Sequence, residues 1–315
     1  MQPKRNSSMG ETLAKAAFGL VAAGALGLGY AAGVEVRNFT VRYVDLPVLP
    51  PGHRTLRVLH LSDLHLTPTQ GPKLQWLSSL SALAPDLIVN TGDNIAHRDS
   101  VPPLVEALGS LLGVPGVFVF GSNDYFAPSL RNPVRYLLPD DGTRNTHTAR
   151  LPWRELRKEL VSRGWLDLTN ATGRLDVGGT TVAFAGVDDP HLGKDRLAAV
   201  AGQAPVDADL RVGVAHAPYR RVLDQFARDG YDVTFAGHTH GGQLCLPFKG
   251  ALVTNCDLDT GRVKGLHRHP AASRPGEANS SWLHVSAGVG TSPYAPVRFC
   301  CRPEASLVTL LPVVG

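Results

Sequence analysis

Two pairs of residues in this sequence alternate in a way that suits a divalent cation, Asp63-Leu64-His65 and His238-Thr239-His240. In an extended segment residues i and i+2 point the same way, so each pair is expected to offer two ligands to one place. Three further groups of the same chemistry lie between them: Gly92-Asp93-Asn94, Gly121-Ser122-Asn123-Asp124 and His216. Glycines before Asp93 and His238 are expected to let the backbone turn sharply there. Carboxylate, imidazole and carboxamide together suit two borderline divalent ions such as Mn, Fe or Zn. A cysteine-rich set would have pointed to zinc alone.

Singly, these groups say little. An isolated Asp-x-His is most often a solvated turn, and a lone His such as His216 is more often a hydrogen-bonded core residue than a ligand. Gly237-His238-Thr239-His240-Gly241-Gly242 differs, because two alternating imidazoles in a glycine loop pack poorly unless something binds them. The ordered set of five, each at a strand end, is what carries weight.

The elements that must position them alternate from Leu56 onward. Strands are expected at residues 56–61, 86–90 and 117–120, with a helix at 73–83, where Leu74, Leu77, Leu80 and Leu83 recur at helical spacing, and another at 102–112. Each strand runs straight into a polar loop: SDLH, TGDN and GSND. This βαβαβ rhythm implies parallel strands with the site at their carboxyl ends. Further on come a helix at 152–163, a hairpin over 175–185 turning at Gly178-Gly179, strands at 211–215 and 233–236, a helix at 218–228, and closing strands at 283–286 and 307–311. The polar stretch 127–151 is long for a connection and is expected to act as a lid.

The order D-x-H, G-D-x, G-S-N-D, H and G-H-x-H resembles that of the calcineurin-like metallophosphoesterases, in particular their bacterial YkuE/YaeI-type branch. The likeness also rests on LSDLH, on GVDDP at 186–190, on GHTHGGQ with a following Leu-Pro, and on GTS and VRFCCRPE between Gly290 and Glu304. It spans nearly all of residues 56–311. It implies an α/β fold, the four-layer αββα calcineurin-like metallophosphoesterase sandwich, and hydrolysis of phosphate mono- or diesters by a metal-bridging hydroxide. In such enzymes the first ion would be held by Asp63, His65 and His240 and the second by His216 and His238, with Asp93 bridging. The family's G-N-H-D reads Gly121-Ser122-Asn123-Asp124 here. Either Ser122 stands at the Asn position, or the loop shifts so that Asn123 ligates. Neutral Ser is a poor ligand, so Asn123 is expected to be the seventh. The catalytic set is then Asp93, Asn123, Asp124 and His191. Because Asn cannot protonate a leaving group, His191 or His147 is expected to replace the family's histidine.

Composition narrows the alternatives. Apolar residues make up 43% of 315, enough for a substantial core, and a net charge of +4 is too small and too dispersed to argue for nucleic acid. No G-x-S-x-G or Walker-type loop suggests another chemistry. Cys245, Cys256, Cys300 and Cys301 have no zinc-type spacing, which argues against a disulfide framework and leaves open a single bridge such as Cys245–Cys256. Residues 16–34 carry no charge and follow Lys4, Arg5 and Lys15, which suits a signal anchor, a cleaved signal peptide or a buried core helix. The expected organisation is a basic leader and anchor at 1–34, a linker and lead-in at 35–55, and one phosphoesterase domain at 56–313. The expected setting is the cell membrane with the catalytic domain outside, or export after cleavage. The substrate is a phosphate ester, lipid-linked esters among the candidates. The competing functions are a catalytically degenerate metal-binding scaffold and a soluble-nucleotide (cyclic nucleotide) phosphodiesterase.

Overall fold

The computed structural model describes residues 6–130, 144 and 146–313. Lys4 and Arg5 of the basic leader, and residues 131–143 and 145 of the expected lid, lie outside the described residues. The first half of the chain runs α1 (Asn6–Gly33), β1 (Thr40–Leu49), β2 (Leu56–Leu61), α2 (Gly71–Ser79), β3 (Leu87–Asn90), α3 (Val101–Leu108), β4 (Gly116–Phe118) and α4 (Ser122–Tyr125). Then come α5 (Trp153–Val161), β5 (Leu166–Asp167), β6 (Ala171–Val177), β7 (Thr180–Gly186), β8 (Leu210–Val214) and α6 (Arg220–Asp229). The chain closes with β9 (Val233–Ala236), β10 (Cys245–Leu246), β11 (Gly250–Ala251), β12 (Gly265–His269), β13 (Ser281–Val285) and β14 (Glu304–Pro312).

Two mixed six-stranded sheets form, in the orders β1-β14-β2-β3-β4-β5 and β12-β13-β9-β8-β7-β6. The strand run β2-β3-β4 is parallel, as is β7-β8-β9-β13. Period-two alternation explains how they pack. Leu56 and Val58 of β2, Leu87 and Val89 of β3, and Val117 of β4 join one apolar cluster with Val182 and Phe184 of β7, Leu210 and Val212 of β8, and Val233 and Phe235 of β9. The intervening Leu59, Leu61, Ile88 and Phe118 point the other way, into a cluster with Leu77 of α2, Leu104 and Leu108 of α3 and Leu156 of α5. On the far side, Val222 and Phe226 of α6 pack with Ala185 and Ala215. Each sheet thus shares one face with the other sheet and gives its second face to helices.

Besides the two-residue strands β5, β10 and β11, two longer strands, β1 and β12, escaped the sequence pattern. β1 lies inside the stretch expected to be a lead-in, and it pairs with β14 at the sheet edge. Pro47 within it argues against a central strand but is tolerated at an edge, where its missing N–H breaks no ladder. β12 is a second edge strand, Gly-Leu-His-Arg-His, too polar to be read as one. The four cysteines are free thiols, so the Cys245–Cys256 bridge is not formed.

α1 is long and apolar enough to cross a membrane. Phe18, Leu20, Val21, Leu26 and Leu28 on it are exposed, which removes the buried-core-helix alternative. Its last turn is docked: the Arg298 amide donates to the Ala31 carbonyl, and Tyr30 meets Phe299 edge-on.

Candidate metal centre

The loops leaving β2, β3 and β4 in one sheet, and β8 and β9 in the other, converge because parallel neighbours end on the same side. They are laced together through the backbone. The Asp63 amide donates to the Gly92 carbonyl, His65 to Asp93, Gly237 to His216 and Gly290 to Asp63. Asp124 completes the lacing from α4, its carboxylate accepting from the amides of Asp93, Asn94 and Gly121 at 2.8–2.9 Å.

The backbone here is not extended. Asp63, His65, Asp93, His238 and His240 all have φ between 42° and 69°, a left-handed conformation that L residues seldom adopt. This corrects the expectation that each alternating pair points one way. Asp63 and His65 still meet, with Oδ1 and Nε2 4.0 Å apart. His238 and His240 diverge: His240 turns to Asp63 and His65, and His238 lies against His216 and His191, at ring separations of 5.1 and 4.2 Å. Gly92 does turn sharply, with φ +92°. Gly237 acts differently, since a Cβ there would collide with the Ser62 hydroxyl and Asp63 Oδ2. It is needed for close approach rather than for φ.

Within the cleft His65 Nε2 lies 3.2 Å from His240 Nε2 and 3.4 Å from Asp93 Oδ2, and His240 Nε2 lies 3.7 Å from Asp63 Oδ1. On the other side of Asp93, His216 Nε2 is 3.6 Å from the same Oδ2. Two groups of ligand atoms able to hold a cation result, Asp63–His65–His240 and Asp63–Asp93–His216, all buried. Asn123 lies on Asp93, its amide N–H and its carboxamide each donating at 2.7 Å. That contact sets Asn123 directly beside Asp93.

These residues fit a cation on a direct test. Asp63 Oδ1 and His216 Nε2 are buried with no hydrogen-bond partner among the described residues. Burying a carboxylate oxygen and an imidazole nitrogen without partners is costly, and a divalent ion removes that cost. The opposite atoms are already engaged. Ser62 and the His238 amide donate to Asp63 Oδ2, and His216 Nδ1 contacts the Thr91 carbonyl at 2.8 Å. His240 Nδ1 faces the Gly290 carbonyl at 3.2 Å, and His238 Nε2 the Asn255 carbonyl at 3.1 Å. Such carbonyl contacts fix the ring and tautomer of a ligating histidine.

Burial drives His65 and His240 well below the ordinary imidazole range and His238 down to about 4, so these rings are neutral at pH 7. Burial also pushes Asp93 up to about 7, and although burial opposes charge on His216, the carboxylates of Asp93, Asp189 and Asp63 raise it to about 9. The Asp93–His216 pair therefore keeps a proton near neutrality that a cation must displace, so affinity falls as pH falls. Binding of Mn at pH 7 is expected to release about one proton per chain. Calorimetry in buffers of different ionisation enthalpy measures it, and equal heats in all buffers would refute it.

The remaining expected residues divide. Asp124 is buried against backbone amides, which makes it a brace for the loops of Asp93 and Gly121. His191 is half-buried beside His238, its Nδ1 3.2 Å from the Tyr219 hydroxyl. His147 is exposed. Two groups had no role in the sequence pattern. Asp189, in the GVDDP stretch, is buried, with Oδ1 accepting from the His191 amide and burial raising its carboxyl to about 6. Arg298, in VRFCCRPE, is fully buried, and its guanidinium reaches the carbonyls of Ala287, Gly288, Gly290, His240 and Cys301. Its Nη2 also lies 3.4 Å from His240 Nδ1. An arginine so placed was detectable only as part of a motif.

Comparison with known proteins agrees with this geometry. Residues 56–242 match the profile of a family described as "Calcineurin-like phosphoesterase". The chain is similar to metallophosphoesterase YkuE of Bacillus subtilis (strain 168), 26% identical over 94% of this chain and 95% of that protein. It is also similar to phosphodiesterase YaeI of Escherichia coli (strain K12), 26% identical over 90% of this chain and 93% of the relative. A bovine (Bos taurus) transmembrane protein with metallophosphoesterase domain is 29% identical over 65% of this chain, which spans 45% of that protein's length.

Proposed function

Because this chain belongs to the calcineurin-like phosphoesterases, metal-dependent hydrolases of phosphoric ester bonds, we propose that it cleaves phosphate mono- or diesters at a two-cation centre beside a membrane. Asp63, His65 and His240 would hold one cation, and His216, His238 and Asn123 the other, with Asp93 between them. When bound, two divalent cations would supply a water made acidic enough to attack near neutral pH and positive charge for the phosphoryl oxygens. The observation that carries the proposal is the pair of unpartnered buried atoms, Asp63 Oδ1 and His216 Nε2, on either side of Asp93. Turnover of a chromogenic phosphodiester by chelator-treated protein given back Mn is the test. No turnover, with Mn bound, would leave a metal-binding scaffold instead.

The chain's own groups do the rest. Asn123 now gives its N–H to Asp93, and a half-turn of the carboxamide would present Oδ1 instead. Arg144 donates to the Tyr219 hydroxyl. That hydroxyl can then accept from Nδ1–H of a doubly protonated His191, 3.2 Å away, which fixes the ring. The imidazolium would be set to give its Nε2 proton to a leaving alkoxide and return to the neutral ring. Nitrophenolate leaves with little protonation, so His191→Ala is expected to slow alkyl esters about 100-fold and nitrophenyl esters far less. Equal slowing of both classes would exclude His191 as the acid.

The exposed apolar side chains of α1 support a membrane anchor, and an anchored site favours lipid-linked phosphate esters over soluble nucleotides. The full chain is expected to pellet with membranes and to resist high-salt washing; release by salt would mean a peripheral contact. A chain beginning at Val34 should stay soluble and active. One beginning near Leu56 would lose β1 and the Glu35 carboxylate that accepts from the Cys301 amide.

A further inference from the structure

Where α1 meets the edge of the β1 sheet there is a second cavity, of about 560 Å³, separate from the metal centre. Its walls include Tyr30 of α1, Arg42 of β1, Lys264 just before β12, and Phe299 and Arg302 of the segment leading to β14. None of these side chains has a role in the proposed hydrolysis.

Charge and depth both bear on what it binds. Arg302 donates only to neutral oxygens, those of Asn38 and Phe39, at 2.7–3.3 Å. Lys264 has the Cys301 thiol at 3.6 Å. Neither forms an ion pair among the described residues. Arg42 is paired with Glu304, and Glu35, also in the wall, turns its Oε1 to the Cys301 amide. With Arg42 balanced by Glu304 and Glu35 engaged by a backbone amide, Lys264 and Arg302 are the basic side chains the wall offers to an anion such as a phosphodiester. As for depth, Tyr30 lies three residues before the end of α1 at Gly33, about 4.5 Å along the helix axis. A bilayer around α1 has its headgroups at that level, where tyrosine is favoured for its apolar ring and polar tip. Tyr30 is 44% exposed, and its ring meets Phe299 across the cavity wall.

We propose that this cavity seats the phosphodiester headgroup of an anionic phospholipid, held by Lys264 and Arg302, with its acyl chains along α1. The proposal rests on α1 lying in a bilayer. The full chain in phosphatidylcholine nanodiscs doped with photoactivatable phosphatidylglycerol tests it. Cross-links are expected at residues 30–42 and 299–302. In a Lys264→Gln/Arg302→Gln variant they should fall about tenfold or more. Photoactivatable phosphatidylcholine should label both proteins weakly. Equal labelling by the two lipids, or no loss in the variant, would overturn the proposal. Added inorganic phosphate should leave the phosphatidylglycerol signal unchanged; abolition by phosphate would assign the cavity to a soluble anion. If the chain fails to enter nanodiscs at all, the membrane premise itself falls, and the proposal with it. Unchanged turnover of a soluble phosphodiester by the variant would confirm that the metal centre is intact.

Discussion

Asp93→Asn is expected to lower phosphodiester hydrolysis about 1,000-fold, at the upper end of what losing one preorganised charge-stabilising group costs. Asp93 is the group both halves of the cleft share: its Oδ2 lies 3.4 Å from His65 and 3.6 Å from His216. Asparagine keeps the shape and removes the negative charge that two cations would need. The fold should persist, because the residue sits on a loop and its charge is already disfavoured by burial. The measurement is turnover after chelation and return of Mn, with thermal unfolding as the control. Wild-type activity in a folded Asp93→Asn protein would sink the two-cation proposal.

Arg298→Met should act through the scaffold. The guanidinium is 0% exposed and has no carboxylate partner among the described residues; it is held by carbonyls from three segments of chain. Methionine fills much of the space and leaves those acceptors empty. Each orphaned buried acceptor costs about 1–3 kcal/mol, partly offset by relief of the buried charge, so a loss of about 2–4 kcal/mol is expected. Urea unfolding would measure it. Because Arg298 also holds the His240 carbonyl and the Gly290 carbonyl that His240 Nδ1 rests on, affinity for Mn should fall about 10- to 100-fold, as when outer partners of ligating histidines are removed. Arg298→Lys retains the charge but not the fork, and should recover stability better than affinity. Unchanged Mn affinity in Arg298→Met would show that Arg298 does not position His240.

Much of this protein was legible in its residue order. Short apolar runs such as 56–61 and helical spacing such as 73–83 are local signals, and they placed the main strands and helices. The ligand types were legible too, because Asp63, Asp93, His216 and His240 each follow a strand whose end is marked by polar or glycine residues. Other matters depend on contacts between segments far apart in sequence. His60 and His284 look like His216 in the chain. They face each other at 2.9 Å inside the fold, and burial keeps both neutral, whereas His216 turns its Nε2 to Asp93 Oδ2, 3.6 Å away in the cleft, and the carboxylates there raise it. The divergence of His238 from His240 follows from left-handed backbone angles that no spacing rule encodes. Arg298 shows the limit most plainly. A buried arginine is unfavourable until five carbonyls from separate loops converge on it, and only the assembled tertiary structure brings them there.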